Sequence, residues 1–221
     1  MFFSKMGDLN QIFNIRKPVG WTSYDVIRYL KRMSAHKIKI GHAGTLDPFA
    51  EGVLVVCTGN ATKEIHHFVN AEKEYKAIIR LGIETDSLDI SGKIVKTVTV
   101  PGLNQEKILS VLHAMSGEIV QEVPAFSALK HRGRKLYELA RQNVEVSLPK
   151  RKVFIHRLRL NGFEKDRLYL EITCSKGTYI RSLARDIGEA LGTTGFLQTL
   201  IRTRVGDHKL ENARQVAEIT V

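Results

Sequence analysis

The chain has 221 residues, of which 43% are hydrophobic and 26% charged, a composition typical of a globular protein and not of a disordered or fibrous one. No apolar run is long enough to span a membrane, and residues 1–7 are too short and mixed for a signal peptide, so we expect a cytoplasmic protein. A formal net charge of +11 favours a polyanionic partner such as a nucleic acid, but it does not distinguish RNA from DNA.

The first third of the chain combines strand and helix patterns. Residues 12–17 alternate as in a strand, which Pro18 and Gly20 should end. Thr22 or Ser23 is then expected to cap a helix that ends near Met33. Residues 53–57 form a continuous apolar run, which is typical of a buried strand.

A short helix is predicted next, capped by Thr62 and running to residue 69. His66 and His67 lie on it, and adjacent helical side chains point about 100° apart, so these histidines form a poor metal site. Cys57 and Cys174 each fall in an apolar run without a Cys-x-x-Cys spacing, so we interpret them as buried thiols.

The middle of the chain continues with strands at residues 75–83 and 94–100, separated by a turn at 85–92 that lacks the pattern of a calcium loop. Asn104 is expected to cap a helix over residues 105–115, and Gly117 to end it. Residues 120–152 contain few large apolar side chains and read as a long, basic, flexible insertion with a helical piece near residues 135–142.

The last third is predicted to hold an antiparallel strand pair at 153–162 and 167–174, then an amphipathic helix over 179–191. A strand at 196–205 and a short terminal helix at 213–219 follow. Two basic clusters stand out: residues 126–159 hold ten Lys and Arg against two acids, and residues 28–39 hold five with His36 among them. Because no repeat or composition break divides the chain, we expect one domain over residues 1–221.

Residues 41–52 (GHAGTLDPFAEG) form the segment most indicative of chemistry. Three glycines in this run imply a sharply turned backbone, and Pro48 restricts the residue before it. Asp47 is therefore held on a rigid loop next to a buried strand, with His42 nearby, as a nucleophile or an acid–base group requires. The alternative is a turn in which the Asp47 carboxylate only accepts backbone hydrogen bonds.

This run resembles the catalytic signature of the TruB family, the bacterial tRNA pseudouridine-55 synthases. Other segments resemble further motifs of that family in the same order, and the resemblance covers roughly residues 12–206: 17–23 (KPVGWTS), 73–77 (KEYKA), 85–92 (TDSLDISG), 127–130 (SALK) and 174–181 (CSKGTYIR). It implies an α/β (α+β) pseudouridine synthase fold, a mixed and largely antiparallel sheet flanked by helices, with residues 120–152 as a mobile basic thumb.

The implied reaction isomerises uridine 55 in the T-loop of tRNA, by breaking the N1–C1′ bond and rejoining the uracil through C5. Nothing is oxidised and no group is imported, so no cofactor and no metal are expected. The absence of Gly-x-Gly-x-x-Gly, P-loop and Cys/His signatures agrees with that. The expected partner is the T-stem-loop of tRNA, with no membrane partner, and the enzyme is expected to act as a monomer.

The resemblance also assigns roles to residues. Asp47 is the implied nucleophile, Arg181 its charge partner and Tyr75 the active-site tyrosine. Without the resemblance, a strand tyrosine such as Tyr75 is more commonly a core residue, and Arg181 without its motif is a surface arginine. His42 is implied to fill the gap left by the flipped uridine, while the competing interpretation makes His42 a general base. The remaining implied substrate contacts are Lys17 as a support, Pro18, Tyr179 and Leu200 near the pocket, and Lys130, Arg132 and Arg134 on phosphates.

The sequence departs from the family pattern at Phe126, usually tyrosine, and at Asn143, usually glycine, both in the thumb. Many relatives also continue into a small PUA-type RNA-binding domain, whereas this sequence ends at Val221. We therefore expect a short form of the family without that domain. Two other functions remain open: a non-catalytic RNA-binding or RNA-folding protein, and a nucleoside hydrolase. The hydrolase would need a second acid to activate water, and Glu51 and Asp89 are the candidates.

Overall fold

A computed structural model describes residues 10–34, 38–142, 144 and 146–219. The segment 1–7, the basic cluster's His36 and Lys37, and Asn143 lie outside the described residues. Within them the strands are β1 Ile12–Lys17, β2 Ile40–His42, β3 Glu51–Thr58, β4 Lys73–Leu81, β5 Ile83–Thr85, β6 Ile94–Thr97, β7 Gly117–Glu122, β8 Lys130–His131, β9 Arg134–Lys135, β10 Lys150–Glu164, β11 Arg167–Cys174, β12 Gly195–Val205, β13 His208–Lys209 and β14 Arg214–Gln215.

The α-helices of the described chain are fewer: α1 Ser23–Met33, α2 Ile65–Asn70, α3 Gln105–Ala114, α4 Leu136–Arg141 and α5 Ile180–Ala190. Short 3₁₀ helices occupy Gly59–Glu64, Leu210–Asn212 and Val216–Glu218. The predicted α/β class with a mostly antiparallel sheet is confirmed. The described residues divide into two compact units, the first from Met1–Tyr75 and Leu200–Val221 and the second from Lys76–Thr199.

In the first unit, β3 is the central strand of the order β14-β1-β3-β12. It pairs antiparallel with β1 and β2 and parallel with β12. Val53 to Thr58 are all buried because both faces of β3 are covered, which explains a continuous apolar run in place of alternation. Helix α1 packs its buried residues against one face of this sheet: Val26, Ile27 and Leu30.

Helix α1 starts where the sequence indicated. Thr22 is the N-cap, and its Oγ1 accepts a hydrogen bond from the Asp25 backbone N–H at 3.0 Å. The Asp25 carboxylate in turn accepts from the Thr22 backbone N–H at 2.8 Å, so a complete capping box closes the helix. The buried side chains of α1 follow the 3.6-residue period, and its exposed ones include Tyr24 and Met33.

In the second unit the strand order is β12-β4-β11-β10-β7. The long strand β10 pairs antiparallel with β11 and with β7, as the predicted strand pair required. Helix α5 buries one apolar face, as its periodicity predicted, and α3 and α5 contact one another. The buried apolar residues of α5 are Ile180, Leu183, Ala184 and Ile187.

Several predicted elements were wrong in extent or type. Thr62 does not cap a helix: its Oγ1 donates to the Gly59 carbonyl inside a 3₁₀ turn, and α2 begins later, at Ile65. The rings of His66 and His67 do not diverge, because rotamers bring their centroids to 3.8 Å. The predicted terminal helix is replaced by strand β14, which pairs with β1, and a 3₁₀ turn.

The predicted thumb contains more apolar packing than its composition suggested. Val123, Leu136 and Leu139 are buried together, and four partly buried side chains pack against them: Leu129, Val146, Leu148 and Tyr179. Strands β8 and β9 form a hairpin before α4, where a helical piece was predicted. The basic side chains of this segment are therefore carried on local structure with a small core of its own.

Candidate active site

In the first unit, the loop that carries Asp47 is hydrogen-bonded at the residue before it and at the residue after it. Ser23 Oγ donates to the Leu46 carbonyl at 3.0 Å and accepts from the Leu46 N–H at 2.8 Å. The Pro48 carbonyl accepts from the Gly20 N–H at 2.8 Å. Asp47 itself is half-buried, and its carbonyl accepts from the Ala50 N–H at 3.1 Å. The backbone thus presents the Asp47 carboxylate from a fixed position.

Lys17, at the end of β1, is fully buried beneath this loop. Its Nζ donates to the carbonyls of Pro18 at 2.8 Å and Trp21 at 2.6 Å, and lies 3.5 Å from that of Pro48. Burial lowers the pKa of Lys17 to about 8, against an opposing effect of the Asp47 charge. Lys17 therefore ties the segment after β1 to the Asp47 loop, a geometry that agrees with a supporting role.

Arg202, on β12, is a second buried cation on the loop. Its side chain is 2% exposed, and its guanidinium donates to the carbonyls of Val53 at 2.7 Å, Thr45 at 3.3 Å and Gly44 at 3.2 Å. Gly52 allows β3 to approach β12 this closely: a Cβ there would lie 2.2 Å from the Arg202 carbonyl oxygen, and its φ is +116°. No signal in the sequence singled out Arg202.

His42 ends β2, close to the start of the same loop. Burial lowers its pKa below the ordinary value, and the positive charge of Arg202 adds to that, so the ring is neutral near pH 7. The Gly44 backbone has a weaker, opposing effect on this pKa, and His42 Nδ1 is buried without a hydrogen bond of standard geometry among the described residues. A neutral ring with such a polar atom suits contact with a nucleobase.

Two further predicted residues of the first unit are in its strands. Tyr75 lies in β4 with 8% of its surface exposed, and Leu200 lies in β12 with 4% exposed. Pro18 is half-buried and follows β1 directly. Both interpretations of Tyr75, as a core residue or as a site residue, are compatible with this burial, since a site tyrosine is also largely enclosed.

In the second unit, Arg181 is buried near the start of α5. This burial excludes the alternative interpretation of Arg181 as a surface arginine. Its guanidinium donates to the carbonyls of Ser87 and Phe126, each at 3.0 Å, and lies 3.5 Å from the Asp89 carboxylate. Asp89 is itself held by the Ser87 hydroxyl at 2.8 Å and the Ser91 N–H at 2.9 Å. The pairing of Arg181 with Asp47 stays a prediction.

These contacts bear on the hydrolase alternative, which needs a free second acid. Asp89 is bound to Arg181, and Glu51 accepts from Arg16 at 3.0 Å. A carboxylate held in an ion pair is a weaker base for activating water. The sequence had indicated a turn at residues 85–92. It could not indicate that Asp89 within this turn is buried, with only 5% of its surface exposed.

Tyr179 occupies the N-cap position of α5. Its backbone N–H donates to Gln121 Oε1 at 2.8 Å, and the guanidinium carbon of Arg151 lies 5.2 Å from the centre of its ring. Arg151 also donates to the Gly177 carbonyl at 3.3 Å. The ring is thus oriented by a cation on one face and by the thumb core, and its role as a wall stays a prediction.

Lys130, Arg132 and Arg134 lie together on the exposed β8–β9 hairpin. The turn has positive φ at both central residues, +48° at Arg132 and +86° at Gly133, which is the signature of a tight hairpin turn. Arg134 donates to Gln142 Oε1, and because this amide is neutral it does not cancel the positive charge of Arg134. The hairpin therefore presents three basic side chains on a short, defined scaffold.

In the part of the chain that the structure describes, no three His, Cys, Asp or Glu side chains converge in a way that could hold a metal ion. None of its helices is both long enough and apolar enough for a bilayer crossing. Cys57 and Cys174 are buried, as predicted, and neither forms a disulfide within the described residues; burial raises the pKa of the Cys57 thiol to about 11.

The fold is similar to that of chains in two solved complexes. A chain in the crystal structure of a Cbf5-Nop10-Gar1 complex superposes with a TM-score of 0.73 at 29% identity, over 96% of this chain and 54% of that one. A chain in the structure of an H/ACA RNP bound to a substrate RNA gives a TM-score of 0.70 at 26% identity, covering 96% and 52%. The present chain spans about half the length of these structural relatives, and the shared architecture is the pseudouridine synthase fold.

Sequence relationships are stronger. Residues 31–180 match the family model described as TruB family pseudouridylate synthase, N-terminal domain. A tRNA pseudouridine synthase B of Bacteroides fragilis is 46% identical, with 94% of this chain and 91% of that protein covered. The protein of the same description from Caldanaerobacter subterraneus is 44% identical over 94% of this chain and 73% of its own length. The chain belongs to the TruB family of pseudouridylate synthases.

Proposed function

We propose that this pseudouridine synthase isomerises uridine 55 in the T-loop of tRNA, with Asp47 as the nucleophile. The observation that carries the proposal is the Asp47 loop, which combines the family's catalytic signature with hydrogen bonds at Leu46 and Pro48. The tRNA pseudouridine synthase B relatives, 39% to 46% identical, support tRNA as the substrate. Fixed presentation of a carboxylate removes much of the orientational barrier to attack.

The reaction conserves all atoms of the nucleoside except one exchanged proton. The N1–C1′ bond breaks, the uracil turns, and a C5–C1′ bond forms. The proton on C5 is then lost, and N1 takes up a proton from the site or solvent. Asp47 starts this sequence by one of two routes, either attack on the nucleoside or assistance in the loss of a ribose proton.

Two groups complete the proposed catalytic set with Asp47. Arg181 is proposed as the charge partner of the Asp47 carboxylate, and the burial of its hydrogen-bonded guanidinium supports a fixed positive charge at Arg181. Tyr75 is proposed to stack on the uracil and to serve in proton transfer. The Arg181 contacts to Asp89 and to two carbonyls support its orientation.

The target uridine has to leave the stacked T-loop before it can react. His42 is proposed to occupy the space that the flipped base vacates, which its neutral, buried ring supports. Tyr179 and Leu200 are proposed as apolar walls for the base. Lys17 and Pro18 are proposed to support the loop beneath it.

The hairpin side chains of Lys130, Arg132 and Arg134 are proposed to bind phosphates of the T-stem. Such contacts position an RNA and carry no base readout. Recognition would then depend on loop shape and on splayed bases, which suits an enzyme that acts on one conserved fold of RNA.

The decisive experiment is release of tritium from tRNA that carries uridine labelled at C5. We expect release by the wild-type protein and its loss in Asp47→Asn, because C5 becomes the glycosidic carbon and must give up its label. Asp207→Asn is the matched control: Asp207 is an exposed aspartate in the first unit, and this variant should release tritium at the wild-type rate.

Other outcomes would identify the alternatives. Tight binding of tRNA without release by the wild type would support a non-catalytic RNA-binding protein. Appearance of free uracil in place of a retained C-glycoside would support a nucleoside hydrolase. Equal release by wild type and Asp47→Asn would remove Asp47 from the mechanism.

A further inference from the structure

Arg202 is a buried cation that the proposed mechanism does not use. Its three hydrogen bonds run to carbonyl oxygens of Val53, Thr45 and Gly44. The last two residues lie in the same loop as Asp47, two and three positions before it. The first is in β3, directly after that loop, so one guanidinium joins the two ends of the segment.

The energetics of this arrangement point to a role beyond packing. No ion pair involves Arg202 in the part of the chain that the structure describes, so its charge is balanced by carbonyl dipoles rather than by a partner carboxylate. Burying a guanidinium is costly unless its donors are satisfied, and an apolar side chain would fill the same volume at lower cost. A planar fork with several donors can hold several carbonyls in one geometry, which a lysine or an aliphatic residue cannot.

The other contacts of the loop show what Arg202 adds. Ser23 holds Leu46, and Lys17 with Gly20 holds Pro48. Neither group reaches the turn at Gly44, where φ is +93°. The Ala43 N–H holds the backbone just before this turn by donating to the Val55 carbonyl at 2.8 Å, while Arg202 binds the Gly44 and Thr45 carbonyls of the turn itself from the side of β12. Gly52 permits the required approach of the two strands.

We propose that Arg202 is a positioning residue for Asp47, acting through the backbone of residues 44 and 45. The inference rests on the proposed function, since it needs Asp47 to be the reacting group. Loss of the guanidinium contacts would let the loop shift without unfolding the unit. A displacement of about 1 Å at a reacting group can lower a rate by roughly 100-fold.

The test compares Arg202→Lys and Arg202→Gln with Arg204→Met, a matched control on the same strand. Arg204 is half-buried, whereas Arg202 is fully buried, and it contacts Glu74 and the Gly206 carbonyl but makes none of the contacts to residues 44, 45 or 53. Three quantities are measured: single-turnover tritium release from C5-labelled tRNA, the dissociation constant for unlabelled tRNA, and hydrogen exchange of the loop 43–50.

We expect the Arg202 variants to release tritium roughly 10- to 100-fold more slowly, with tRNA affinity changed by less than about 3-fold. Exchange should increase in residues 43–50 and stay unchanged in β1. Arg204→Met should lose thermal stability but keep the wild-type rate and the wild-type loop exchange.

Three results would overturn the inference. The first is a wild-type rate in both Arg202 variants, and the second is a loss of rate only in proportion to the unfolded fraction. The third is failure of both variants to fold, which would assign Arg202 to the core alone. Absence of release from wild type and Arg204→Met as well would instead refute the proposed function.

Discussion

Lys17 was identified from its sequence motif, but its complete burial and its lowered pKa became evident only in the structure. Its motif marked it as a support, and the structure buries it completely with its ammonium on the carbonyls of Pro18, Trp21 and Pro48. Desolvation opposes the charged form, so the folded protein holds this proton less tightly than the unfolded chain does. The consequence is a pH-dependent contribution to stability.

Replacing Lys17 by methionine should remove that contribution. In the wild type the folded pKa is about 8 and the unfolded value about 10.5, so between these pH values the unfolded chain binds more protons and stability rises with pH. The difference in unfolding free energy, wild type minus Lys17→Met, should therefore grow by about 1 to 3 kcal/mol from pH 8 to 10.5. Urea unfolding at a series of pH values measures it.

Lys17→Arg is the control for this prediction, because a guanidinium stays charged throughout the range. Its unfolding free energy should lack the same rise, although the charge is retained. A difference between wild type and Lys17→Met that stays constant from pH 8 to 10.5 would show that the ammonium keeps an ordinary proton affinity when folded.

At the scale of elements, helix α1 was predicted to within a residue because its signals are local. Thr22 precedes the first turn, Asp25 stands three residues later, and apolar residues recur at the helical period. Thr62 showed the same residue type without the rest of the pattern: no acid follows at the third position, and the chain forms a 3₁₀ turn instead. A cap residue alone is thus a weak indication of a helix start, whereas a complete capping box is a strong one.

Substitution Thr22→Ala should destabilise the protein by about 1 kcal/mol, because it removes the side-chain half of the capping box. The Thr22 hydrogen bonds are also the main cause that lowers the pKa of Asp25, so that pKa should rise in the variant. Urea unfolding and NMR titration of the Asp25 carboxyl measure the two effects together.

Thr22→Ser keeps the hydroxyl and should leave both quantities near those of the wild type. A loss of stability in Thr22→Ala without any change in the Asp25 titration would mean that the lost methyl packing, and not the capping box, accounts for the effect.

For the whole molecule, the net charge of +11 favours RNA binding most where several basic side chains lie close together. The hairpin β8–β9 gathers Lys130, Arg132 and Arg134 on an exposed turn. Composition had indicated a flexible basic insertion, because Arg-Gly is not among the strong hairpin dipeptides and the buried leucines are scattered along the segment. Only pairing of the two strands brought the charges into one place.

Changing these three residues to alanine should weaken tRNA binding and lower its salt dependence. Each phosphate contact releases about 0.7 to 0.9 counterions, so the slope of log affinity against log salt should fall by about 2. The expected rate at saturating tRNA is that of the wild type, since phosphate contacts position the RNA. Filter binding at several salt concentrations gives the slope.

The control triple is Lys93, Lys96 and Lys107 changed to alanine, which removes the same charge from exposed positions of the second unit. It should change the slope by less than the hairpin triple does. Equal slopes for the two triples would mean that tRNA responds to total charge and not to the hairpin.

The sequence by itself determined the family, the Asp47 loop, helices α1 and α5 and the long strands, because their signals lie within a few neighbouring residues. Tertiary structure alone decided the burial and the contacts of Arg202 and Asp89. Arg202 Nε meets the Val53 carbonyl across 149 residues, and Arg181 meets Ser87 across 94. No local pattern encodes such contacts, because burial of a polar side chain depends on which distant strands and helices come to surround it.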